Sequence, residues 1–107
     1  MLKYQYRTFV IEPSGHIQTH VTKNAPSLDE LQDWCGGWVQ MVPHFTKLAS
    51  RTRGTAWVNE EGILLSLPYN NPATVLWQKQ YKFATSIFGN IAVHFREKLP
   101  GIEEITS

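Results

Sequence analysis

Glu60 and Glu61 are the first residues to weigh for chemistry, because paired carboxylates can divide acid and base roles between them. They are adjacent within Asn59-Glu60-Glu61-Gly62, which reads as a tight turn, and neighbours on a turn point in different directions. Exposed turn acids account for the pair better than a shared catalytic site. The four histidines, His16, His20, His44 and His94, show no metal-ligand spacing. His16 and His20 fall on one face of a strand but about 13 Å apart, too far for one zinc ion. Cys35 lies near the C-terminal end of a helix, the wrong pole to stabilise a thiolate, and reads as core. Ser66 and Ser86 lack the glycines of a nucleophile elbow, and Gly36-Gly37 follows a helix instead of opening one, so it is no phosphate loop. The expectation is no catalytic residue, no metal and no cofactor.

Binding chemistry is better represented. Four tryptophans are many for this length, and most should be core. Trp38 shares a strand face with Gln40, and Trp57 with Asn59; both amides are costly to bury unpaired. Arg51 and Arg53 point the same way if their segment is extended, and guanidinium forks suit phosphate. The Tyr69-Asn70-Asn71 loop leads into a helix whose first N–H groups can receive an anion. A nucleotide-type ligand held by Trp38, Gln40, Arg51, Arg53, Trp57, Asn59, Tyr69, Asn70 and Asn71 is therefore chemically coherent. The ordinary alternative is a solvated basic loop beside a core.

Charge is unevenly placed. Residues 34–96 carry six basic groups against two acids, while the two ends carry four against seven, for a net charge of +1. A near-neutral chain is a poor nucleic-acid coat, but its basic middle can draw an anionic ligand. One cysteine rules out an internal disulfide and fits a reducing compartment. No signal peptide and no apolar run near 18 residues is present, so a soluble, intracellular protein with no membrane contact is expected. The 107 residues suit one domain, 1–107, with 97–107 as a loose tail. A core this small makes a homo-oligomer with shared burial an expectation.

The elements that must position these groups follow from periodicity. Residues 3–11 and 16–22 read as strands around a Pro13-Ser14-Gly15 turn. Ser27 and Glu30 form a capping box for a helix with Leu28, Leu31 and Cys35 on one face, stopped by Gly36-Gly37. Residues 38–42 are a strand ended by Pro43, and 45–53 a basic loop or edge segment. Thr55–Asn59 alternates, with Ala56 and Val58 opposite Thr55, Trp57 and Asn59. The turn with Gly62 at its end then leads to Ile63–Leu67, apolar enough for a strand covered on both faces. Asn71 caps a second helix with Pro72 at its first position, and Ala73, Leu76, Trp77 and Gln80 share a face. Residues 91–96 are the last strand. The fold class expected is α+β, a mostly antiparallel sheet of five to six strands with two helices packed against it, in the order ββαβββαβ.

Three pieces taken together resemble a known family. They are Gly36-Gly37-Trp38-Val39-Gln40-Met41-Val42-Pro43, then Asn59-Glu60-Glu61-Gly62 leading to Leu67-Pro68-Tyr69-Asn70-Asn71, then Phe88-Gly89-Asn90. In order and spacing they are similar to small uncharacterised domains of bacteriophages and large algal viruses, over residues 27–96. Gln40 and Asn90 stand where that family often has acids. The resemblance implies a small viral protein in the host cytoplasm and carries no activity with it. The function expected is non-enzymatic sequestration of a small anionic, nucleotide-type signalling molecule, countering host defence. The alternative is an interaction module that inhibits a host protein; single-stranded nucleic-acid binding and nucleotide cleavage rank lower.

Overall fold

The computed structural model of the chain describes residues 3–99. Five strands form one antiparallel sheet: β1 (Tyr4–Ile11), β2 (Ile17–Thr22), β3 (Val39–Val42), β4 (Thr55–Asn59) and β5 (Ile91–Lys98). Their spatial order is β2-β1-β5-β4-β3. The helices α1 (Leu28–Cys35) and α2 (Asn71–Gln80) complete the α+β fold.

Register and burial place one helix on each face. Ala56 and Val58 pair with Val93 and Ile91, which pair in turn with Phe9 and Ile11. That face buries Ile11, Val42, Ala56, Ile91, Val93 and Phe95 together with Ala73 and Trp77 of α2. The alternate residues, Val10 and Ala92, with Trp57 against them, pack under Leu31 and Cys35 of α1. Each fully buried aliphatic or aromatic side chain here contributes about 1.5–3 kcal/mol.

Helix α1 starts as the capping box requires: the Glu30 N–H donates to Ser27 Oγ at 3.1 Å, and the Ser27 N–H donates to Glu30 Oε1 at 3.0 Å. It stops at Gly36, whose φ of 81° is left-handed. Helix α2 is capped by Asn70, one residue before the expected cap. The loop between β3 and β4 is fastened to α2 by Gln80: its Oε1 accepts from the N–H groups of Thr46 and Lys47, and its Nε2 donates to the Lys47 carbonyl. A Cβ at Gly54 would lie 2.5 Å from the Phe95 ring, so this loop re-enters the sheet over an aromatic ring that only glycine clears.

Two expectations change. Residues 63–67 are not a strand but consecutive turns, and the chain order becomes ββαββαβ. The Leu65 N–H donates to Glu61 O, Ser66 N–H to Ile63 O, and Leu67 N–H to Gly62 O. The reason is topological: β4 already has β3 on one edge and β5 on the other, so a hairpin return from Asn59 has no edge to join. Gly62 serves a close approach, since a Cβ there would lie 3.0 Å from Phe88 O. At the other end, Glu97 and Lys98, expected in the loose tail, are the last residues of β5. The rest of that tail, 100–107, lies outside the described residues.

Candidate functional site

The nine residues expected to bind a ligand are not gathered into one site; of them, only Gln40 and Asn59 line a common cavity among the described residues. Gln40 pairs with Val58 and Asn59 with Val39, so Gln40 lies on the α2 face and Trp57 and Asn59 on the α1 face. Asn59 is buried and structural: its Nδ2 donates to Cys35 O, and its Oδ1 accepts from the Glu61 N–H at 2.8 Å. The Trp57 indole N–H donates to His94 Nε2 at 3.1 Å. Burial holds His94 below the usual imidazole range, so that it remains an acceptor.

Arg51 is already engaged. Its Nη1 lies 2.9 Å from Glu97 Oε1, and its guanidinium sits over the Phe9 ring at 5.3 Å. Glu97 also accepts from Gln5 and Arg7. The Arg7 hydrogen bond, with those of Gln5 and Arg51, holds its carboxyl down at about 2, against the partial desolvation that would raise it. Arg53 is exposed in a left-handed conformation, φ 62°. Among the described residues the cation–π pairs of Arg51, Lys82 and Arg96 are with phenylalanine or tyrosine, not tryptophan.

The Tyr69-Asn70-Asn71 loop divides as well. Asn70 is fully buried, with Nδ2 donating to Ile11 O and Gly89 O and Oδ1 accepting from the Ala73 N–H. Its polar atoms are spent inside the fold. Tyr69 stays half-exposed with its ring edge-on to Phe88, and Asn71 is exposed at the first turn of α2.

What the structure does assemble is a cavity of about 260 Å³ at the open end of β3 and β4. Val42, Val58, Trp77 and Ile87 form its apolar lining, and Gln40, Thr85 and Ser86 add neutral polar groups. Glu60 and Glu61 are its only charged lining residues. Its mouth carries Ile63 and Leu64, exposed at 76% and 81%, beside Leu65 at 55%. Trp38 at 61% and Met41 at 59% stand on the same edge of the sheet. Ile63, Leu64 and Leu65, consecutive and this exposed at the rim of a cavity, mark an interaction surface.

The edge beside this cavity is open. β3 is the outermost strand, and the Glu60 N–H to Trp38 O bond sets the phase of its pairing. Gln40 and Val42 therefore turn their backbone groups toward β4, leaving the N–H and C=O of Val39 and Met41 directed outward. The strand, Val39–Val42, has no charged residue to guard that edge.

Sequence reasoning missed Ile63, Leu64 and Leu65 because an unbroken apolar run looks like a covered strand. The available signal was Glu60-Glu61 immediately before it, which keeps the segment at the surface. Two of the three lysines of the basic middle gather elsewhere: Lys47 and Lys79, with His44, line a shallow cavity of about 250 Å³ beside Gln80.

Comparison with family models matches residues 6–101 to a domain described as a domain of unknown function, DUF3846. A search of curated proteins and one of solved structures found no match.

Proposed function

The chain belongs to the DUF3846 family, and we propose that it is a non-enzymatic binding module that takes an extended segment of a partner protein along β3. One observation carries this reading: an unguarded edge strand lies beside a cavity of mixed polar and apolar lining whose mouth is rimmed by Ile63 and Leu64 at 76% and 81% exposure. Strand addition would use the outward backbone groups of Val39 and Met41, and one apolar side chain of the partner would fill the cavity. Glu60 and Glu61 favour a lysine or arginine next to that side chain. The resemblance to phage and algal-virus domains makes a protein of the host cytoplasm the partner class that fits.

An array of short extended peptides tests this. The expected consensus has apolar residues at alternate positions with an adjoining basic residue. Leu64→Asp removes binding while leaving the melting temperature unchanged, because that side chain is 81% exposed. An acidic consensus, no consensus, or binding indifferent to Leu64→Asp overturns the reading.

Capture of a small nucleotide-type anion keeps one observation in its favour, the Lys47, Lys79 and His44 cavity. Calorimetry against cyclic and ADP-ribose-type nucleotides, with Lys47→Ala and Lys79→Ala variants, measures it directly. No heat from any member removes that reading.

A further inference from the structure

Among the described residues, the α1 face of the sheet is only half covered. Helix α1 packs over β3, β4 and β5, above the level of Val10, Ala92 and Trp57. Beyond it the register lays out successive rows of side chains. His20, Thr8, His94 and Thr55 form one row across four strands. Thr22, Tyr6 and Arg96 form the next, and Tyr4 pairs with Lys98 beyond that. Tyr4, Arg96 and Lys98 are exposed, and Tyr6 is half-buried.

The chemistry of these rows is one-sided. Glu97 is the only carboxylate on the five strands, and alternation puts it on the opposite face. These rows carry no strand-borne acid; Thr8 is fully buried and His94 half-buried in the first of them, so the open part is Thr22, Tyr6, Arg96, Tyr4 and Lys98. The Arg96 guanidinium carbon already sits over the Tyr4 ring, 4.4 Å from its centroid, so a cation and an aromatic ring are held together at this end of the sheet. Tyr4 and Tyr6, two residues apart on one strand, are about 7 Å from each other along it. His20 is stacked on Trp34 of α1 at 4.6 Å and walls the platform on the helix side.

We infer that this open half of the sheet is a second binding surface, and that its ligand is single-stranded nucleic acid. Bases stack on Tyr6 and on the Tyr4–Arg96 pair, and phosphates are met by Arg96 and Lys98. The surface is a sheet face and not an enclosed cavity, which suits a strand laid across it. The near-neutral chain is no obstacle, because only two cations need act.

Fluorescence anisotropy of the full chain with labelled oligo-dT and oligo-U of about twelve nucleotides tests this at about 50 mM salt. Binding is expected, with log K falling against log salt at a slope of about −1.4, as two phosphate contacts on a single strand require. Tyr6→Ala and Arg96→Ala each weaken it about tenfold. Leu64→Asp leaves it unchanged, which keeps this surface separable from the docking edge. Circular dichroism melts establish that the variants fold, and Arg96→Lys restores the salt slope but not the stacking. No binding at low salt, equal affinity for duplex, equal competition by a mononucleotide, or binding indifferent to Arg96→Ala overturns the inference.

Discussion

Asn70→Asp separates a helix cap from a keystone. Asparagine and aspartate are nearly equal as N-caps, so a residue that only caps α2 tolerates the change at little cost. The structure gives Asn70 more to do. Its side chain is 0% exposed, and its amide N–H groups satisfy Ile11 O at 2.9 Å and Gly89 O at 2.8 Å, joining the end of β1 to the turn before β5. Aspartate keeps the acceptor for the Ala73 N–H but removes both donors and sets a carboxylate against two carbonyl oxygens. Two buried carbonyls losing partners cost about 1–3 kcal/mol each, so the substitution costs about 2–6 kcal/mol. That is a large share of the about 5–15 kcal/mol that holds a domain together. Urea unfolding followed by tryptophan fluorescence, with a slope of about 1.5 kcal/mol/M, reads it as a midpoint lower by about 1–4 M. Acidification, which returns a proton to the new carboxyl, narrows the gap. A midpoint within about 0.5 M of wild type refutes the reasoning.

Glu97→Gln removes the charge shared by Arg7 and Arg51 and turns one of its two acceptor oxygens into a donor, which costs about 1–2 kcal/mol, at the low end for charged hydrogen bonds because the cluster is partly open to water. In the wild type that stabilisation is complete above the ordinary carboxyl value of 4.5 and is lost as pH falls through about 2; a urea series across that range shows the slope in wild type and not in the variant. Gly54→Ala drives a methyl into the Phe95 ring and lowers stability by about 1–3 kcal/mol in the same assay. Burial pushes the Cys35 thiol up to about 12, so a disulfide reagent at pH 8 labels it only as fast as the fold opens; rapid labelling of native protein contradicts the packing under α1.

Much of the scaffold was legible because local chemistry and tertiary packing agree there. The Ser27–Glu30 box, the Gly36 stop and the alternation of Thr55–Asn59 are local signals, and each is found as written. Helix α2 began one residue early because two asparagines compete for the cap, and only the buried carbonyls of Ile11 and Gly89 decide between them. Ile63–Leu67 failed for a non-local reason: the fate of a strand depends on whether an edge is free, and β5 returns from the far end of the chain to occupy the one beside β4. The candidate site failed likewise. Sequence showed correctly which residues share a strand face, but not which face was whose, and it could not show that Glu97, 46 residues away, claims Arg51.

Chemical-shift mapping of the uniformly labelled protein, titrated with the tightest peptide from the array, tests the docking edge most directly. Shifts concentrated at Val39–Val42, Gly62–Leu64 and Ile87–Phe88 are the result predicted. Shifts centred on Tyr4, Tyr6 and Arg96, or spread without focus while β3 stays silent, contradict it.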